Sequence, residues 1–130
     1  MFSFNRNQNG QNAEHYVDMP AKKGEDYSIG EALVVKEGVV TKCGATEKPT
    51  HICGTTELGK KEGETVACYP IFESYEFETT LTADGKSLKV GDKVTLDGAA
   101  LNVTATTASG VAQIVRFVSK ANGGTVVVKF

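Results

Sequence analysis

The sequence predicts an all-β protein, a small barrel or sandwich built from two related hairpin units and preceded by an extended N-terminal arm. Three observations predict it. Short β-branched runs are punctuated by acid-glycine and glycine-glycine pairs, the two halves of the chain echo each other, and the first two dozen residues carry little apolar periodicity. At 130 residues the chain fits one domain with a core large enough to need no staples.

Residues 1–26 form the arm. They are polar and rich in Asn and Gln, with Phe2, Phe4, Tyr16 and Met19 as the large apolar anchors. Such a segment cannot bury enough apolar surface to hold itself folded. It reads either as a frayed terminus or as an arm that orders on a partner, with Phe2 and Phe4 as alternate side chains of an added strand. From residue 27 the strand signals begin, and residues 27–130 read as a single β domain. Ser28-Ile29-Gly30-Glu31-Ala32-Leu33-Val34-Val35 leads into Glu37-Gly38 and then Val39-Val40-Thr41. Glu62-Gly63-Glu64 precedes Thr65-Val66-Ala67-Cys68, Asp97-Gly98 ends Lys93-Val94-Thr95-Leu96, and Gly123-Gly124 precedes Thr125 to Phe130. One segment dissents. Val111, Ile114, Val115 and Val118 have helical spacing, so a short helix within 110–121 stays open beside the strand that their β-branching favours.

The repeat pairs residues of about 27–70 with about 88–130. Ile29-Gly30-Glu31 corresponds to Val90-Gly91-Asp92 at an offset of 61, and Thr65-Val66 to Thr125-Val126 at an offset of 60. Each copy is a hairpin unit whose apolar face is buried against the other. Between them, Ser74 to Leu81 alternates polar and apolar residues, as a half-exposed strand should.

Charge narrows the function classes. With 14 Lys+Arg against 16 Asp+Glu the net charge is −2, which argues against nucleic acid as a partner, including an RNA-binding small barrel. Trp is absent and 8% of residues are aromatic, too few for a base-stacking platform or a sugar-binding strip. No stretch approaches the roughly 20 apolar residues that span a bilayer, and no apolar region of a secretory signal follows Arg6, so no membrane partner is expected.

The soft metal ligands are His51, Cys43, Cys53 and Cys68. His51 and Cys53 would share one face of a strand, but the paired cysteine knuckles of a structural zinc site are missing. Three cysteines cannot all pair, so free packed thiols in a reducing compartment are expected. A Cys-His dyad lacks any recognisable orienting group, and Gly59-Lys60-Lys61 lacks the spacing of a phosphate loop. Catalytic, cofactor-binding and metal-binding residues are therefore all expected to be absent, and the dispersed lysines read as a solvated surface. A second reading stays open: a small ligand-binding or enzyme-accessory β-barrel with a pocket near His51 and the cysteines.

The run Lys89-Val90-Gly91-Asp92-Lys93-Val94-Thr95-Leu96-Asp97, followed by Asn102-Val103-Thr104, Gly110 and the closing Gly-Gly-Thr-Val-Val-Val-Lys-Phe, resembles the head decoration, or capsid-cement, proteins of tailed bacteriophages and prophages. The first half follows the same plan through Ile29 to Val35, Glu37-Gly38, Pro49, Ile52-Cys53-Gly54 and Gly63 to Val66. Glu31 stands where that pattern has Asp, and Arg116-Phe117 where small residues are usual. The resemblance implies a non-enzymatic structural protein of the virion that binds and stabilises an assembled head. It implies the major capsid protein as partner, homo-oligomers with trimers favoured, and residence on the capsid surface after assembly in the bacterial host cytoplasm. Phe2, Phe4, Asn5 and Arg6 are the capsid-contact residues expected on this reading.

Overall fold

Four turns of one chemistry mark out the strands. Lys22-Lys23-Gly24-Glu25, Ser28-Ile29-Gly30-Glu31, Lys61-Glu62-Gly63-Glu64 and Lys89-Val90-Gly91-Asp92 each close with the N–H of the acid donating to the first residue's carbonyl, at 3.0–3.2 Å. The third residue has positive φ, +78° at Gly30 and +94° at Gly91, a conformation that type II turns require and that glycine adopts without strain. In three of them the acid also accepts the first residue's N–H: Ser28 to Glu31 at 3.1 Å, Lys61 to Glu64 at 2.8 Å and Lys89 to Asp92 at 2.9 Å. The sequence signature Gly-acid is thus a two-bond clasp.

The computed structural model describes residues 1–12 and 15–130; Ala13 and Glu14, inside the segment read as an arm, lie outside the described residues. The strands are β1 (Ser3–Asn7), β2 (Val17–Pro20), β3 (Ala32–Lys36), β4 (Val39–Lys42), β5 (His51–Cys53), β6 (Thr65–Pro70), β7 (Tyr75–Thr80), β8 (Lys93–Val94), β9 (Ala112–Phe117) and β10 (Thr125–Lys129). They form two antiparallel sheets, ordered β2-β6-β5-β3-β4 and β1-β7-β10-β9-β8. The molecule is all-β, as its turn pattern predicts. The helix left open at 110–121 is not formed: β9 occupies it, held between β8 and β10, where Ile114 points into a core that β-branched residues suit.

Each sheet curls closed through an isolated bridge, with β1 lying outside the closure of the second. In the first, Ala21 bridges Val40 in parallel; in the second, Leu81 bridges Val103 in parallel. The equivalence between the two barrels is residue by residue. The Ala21 N–H donates to the Glu64 carbonyl at 3.0 Å, as Leu81 does to Gly124 at 2.9 Å. Gly30 donates to Cys53, and Gly91 to Ile114, both at 2.8 Å. β2 pairs Val17 with Cys68 and Pro20 with Thr65; β7 pairs Phe77 with Val128 and Thr80 with Thr125. The repeat therefore begins earlier than its turns indicate, at Val17 and Phe77.

The interiors match position by position. Tyr27, Leu33, Val40, Cys53, Val66 and Cys68 fill the first barrel where Leu88, Val94, Val103, Ile114, Val126 and Val128 fill the second, all buried. Bulk is exchanged between neighbours: Ala21 accompanies Tyr27, and Leu81 accompanies Leu88. The Tyr27 hydroxyl is satisfied, donating to the Val40 carbonyl at 2.6 Å and accepting the Lys22 N–H at 2.8 Å. Ala32 and Ile52 face outward from the first barrel and join the second core, beside Cys43. Backbone bonds from Ala32 to Ala100 at 2.7 Å and from Leu96 to Ala45 at 2.9 Å lock this contact.

The N-terminal segment is extended but not free, which corrects both readings of it. β1 pairs with β7 from Ser3 against Glu78 to Asn7 against Tyr75, and β2 is a strand of the first barrel. Phe2 is 2% exposed, packed edge-on against Phe130 at 5.4 Å. The segment's own composition cannot hold it folded; a site in a neighbouring core can. Phe2→Ala should therefore destabilise the protein by about 3 kcal/mol in denaturant unfolding at unchanged slope, the cost of emptying a buried aromatic site. A change within about 0.5 kcal/mol, the size of a surface effect, would show the segment to be frayed in solution.

Candidate functional site

β1 brings an exposed aromatic surface together with a groove. Its N-terminal end approaches the first barrel at Gly30, where a Cβ would lie 2.6 Å from the Met1 Cβ and 2.9 Å from the Phe2 carbonyl. Glycine is needed there twice over, for its φ and for this approach; at its equivalent, Gly91, nothing lies within 4 Å. Phe2 uses the closeness to donate its N–H to the Gly30 carbonyl at 2.9 Å. The seam so formed is a groove of about 360 Å³, walled by Met1, Phe4, Ile29, Tyr69, Tyr75 and Phe77 and reaching Ile52 and Cys53. No acid, Lys, Arg or His lines it. Phe4 (42% exposed), Ile29 (50%) and Tyr69 (39%) stand at its rim. Phe4 and Phe72 each meet Tyr75 edge-on, at 5.2 Å. Concave, apolar and rimmed by aromatics, it has the make-up of a protein-binding surface.

β1 is fastened by charge as well as by Phe2. The Arg6 guanidinium donates Nε to Glu76 Oε2 at 2.6 Å and Nη2 to Oε1 at 3.2 Å, and Gln8 Nε2 donates to Oε1 at 3.0 Å. Glu76 is 1% exposed, so the buried carboxylate needs these donors. Arg6 and then Gln8 hold it below the usual carboxylate range against the opposing effect of burial, with Arg116 adding a little. The pairing register slips between Phe4 and Arg6, leaving Asn5 as a bulge that spoils the outer edge for casual pairing.

Of the four residues expected to face a partner, Phe4, Asn5 and Arg6 are at the surface; Phe2 is in the core, which corrects its place among them. Arg6 is engaged by Glu76. Ile29, Tyr69, Tyr75 and Glu76 were not foreseen. The expected alternation of Ser74 to Leu81 fails at Glu76, because β1 covers an edge that the local pattern leaves open. Ile29 carried a signal in its turn: position two of a type II turn points outward, and its equivalent Val90 is exposed too.

The His51 and cysteine group is only partly brought together: Cys53 and Cys68 lie opposite each other across β5 and β6, with His51 on β5, while Cys43 joins the other core. Cys53 and Cys68 fill the barrel at the places of Ile114 and Val128, and Cys43 packs in the seam between the barrels. All three thiols are free and buried, and each donates to a backbone carbonyl, of Thr55, Val66 and Glu47 in that order. Burial pushes Cys43 and Cys68 up to about 12 and raises Cys53 as well, so none is a thiolate at neutral pH. His51 accompanies Thr50 at 2.8 Å, and burial lowers its pKa. Only Cys53 of this group borders the groove. Among the described residues no three His, Cys, Asp or Glu side chains converge as metal ligands would, and no helix is long and apolar enough to cross a membrane.

No protein-family model matches the chain, and no curated protein matches it.

Two measurements probe this geometry. Stability from Glu76 is fully present above the unfolded carboxylate value of about 4.3 and is lost as pH falls through the lower folded value. Glu76→Gln should therefore be less stable than wild type near neutral pH, and the difference should shrink below about pH 4. A gap independent of pH would place the carboxylate's partners elsewhere. Separately, all three cysteines should resist a thiol reagent in the native protein and react together on unfolding; fast labelling of any one would contradict its burial.

Proposed function

We propose that this chain is a decoration protein of a tailed-phage or prophage head, binding the outer surface of the assembled shell and stabilising it. The observation that carries the reading is the apolar groove beside β1, with Phe4, Ile29 and Tyr69 exposed at its rim. The resemblance of Lys89 to Asp97 and of the closing Gly-Gly-Thr-Val strand to capsid-cement proteins supplies the partner class. The duplicated barrel supports it as well: the same Gly-acid clasps that resemble the family's set the strand ends in both copies. On this reading the major capsid protein fills the groove, and the protein sits as a homotrimer at the shell's local threefold positions. Many copies on a lattice need only a modest interface each, because neighbouring contacts raise the effective concentration.

Removing β1 would unseat Phe2, so surface substitutions give the cleaner test. Wild-type protein mixed with expanded, undecorated heads should bind saturably. Phe4→Ser and Ile29→Lys should each weaken binding about tenfold or more, since a central apolar anchor commonly carries over 1 kcal/mol, while the purified variants keep the wild-type unfolding midpoint. Failure of the wild type to bind its cognate head would remove the function. Full binding by both variants would move the contact away from the groove.

A further inference from the structure

The two barrels differ at one edge, and the difference exposes a second site. In the second barrel the bridge from Leu81 to Val103 uses only the end of β7, and β1 covers the rest from Tyr75 to Glu78. In the first barrel the bridge from Ala21 to Val40 uses the equivalent end of β2. Among the described residues no strand lies on the remainder of β2, which ends its sheet. The equivalent residues show the consequence. Tyr75, Glu76 and Phe77 under β1 are 3%, 1% and 2% exposed. At the matching places His15 is exposed, Tyr16 is 58% exposed and Val17 is 42% exposed. Two large apolar side chains thus stand in water where the other barrel has a covering strand.

We propose that the outer edge of β2 is a strand-acceptor site, which takes an extended antiparallel segment of a different protein, with an apolar residue opposite Val17 and a basic residue facing Asp18. The chain itself holds the backbone geometry, since β1 on β7 is the same fold accepting such a strand. The apolar requirement follows from register: Phe4 lies opposite Phe77, whose equivalent is Val17. Tyr16 and Tyr69, edge-on at 6.3 Å with both rings exposed, stand on the other face of the edge, that of Asp18, and flank the place of the basic residue. The basic requirement follows from Asp18, which is exposed and has no ion pair with any described residue. Main-chain bonds would supply affinity and these two side chains selectivity. The occupant is foreign because the chain's own strand of this type is committed: releasing β1 would pull Phe2 from the core and strip Glu76 of Arg6. The site does not depend on the partner being a capsid protein.

The test is an NMR titration of the full-length labelled protein with a synthetic peptide, residues 1–8 of this chain carrying Ser3→Lys, which sets lysine against Asp18. Saturable shifts at Tyr16 to Met19 and at Tyr69, several-fold weaker with the matching Ser3→Glu peptide and lost in a folded Val17→Lys protein, are expected. No shift in β2, or equal binding of the two peptides, would overturn the site or its charge preference. Concentration-dependent self-association of the wild type that Val17→Lys abolishes would overturn the foreign occupant in favour of a second copy.

Discussion

Phe2 is the contact on which the arrangement turns. Its ring packs with Phe130, which also meets Phe77 at 5.8 Å, so the first residues, the last residue and β7 share one aromatic cluster. Its N–H reaches across to Gly30 of the first barrel. With Phe2 seated, β1 has only one course along β7, and that course puts Phe4 at the groove rim and Arg6 over Glu76. An aromatic side chain that buries most of its area stabilises by a few kcal/mol, enough to order a short polar strand that has no stability of its own. The groove, the buried carboxylate and the covered edge all follow from that one insertion.

How much of this was legible in the sequence depended on how local the cause was. Gly-acid pairs report the fold because a type II turn needs glycine at one position and the following acid closes a bond three residues back; Gly30-Glu31 and Gly91-Asp92 therefore looked alike and are alike. The earlier parts of the repeat were hidden. Ala21 and Leu81 differ in size, and so do Tyr27 and Leu88, but the sums are similar, and only packing shows that one pair replaces the other. The place of Phe2 was not legible at all, because the groups that bury it lie more than 70 residues away in sequence at Phe77 and Phe130.

The same contrast governs the candidate chemistry. Cys53 and Cys68 drew attention as possible ligands with His51 by their residue types. Their positions in the repeat are those of Ile114 and Val128, so the first barrel uses cysteine as a small apolar side chain. Glu76 drew none, although it is a buried carboxylate held by three donors from Arg6 and Gln8. Glu31 makes an instructive comparison. It too is buried, and Ser28 and Lys42, the latter at 3.4 Å, favour its charged form, but desolvation outweighs them and its pKa is raised. Two donors from one guanidinium reverse that balance at Glu76.

The two barrels, built on one plan, thus carry different instructions at one edge. Where β1 lies, the edge can hold a carboxylate and two aromatic rings out of water, because the added strand supplies both cover and counter-charge. Where no strand lies, the same positions keep no buried charge and instead show Tyr16 and Val17 beside Asp18. A sheet edge meant to stay bare is commonly guarded by lysine, a bulge or inward charge. β1 has such a guard in the bulge at Asn5. The described part of β2 has proline only at Pro20, beyond the uncovered stretch, and no lysine within it. The β2 edge thus carries the exposed charge of Asp18 against stray pairing while it also exposes Tyr16 and Val17, and a strand that brings a basic residue to Asp18 turns that guard into a selectivity element.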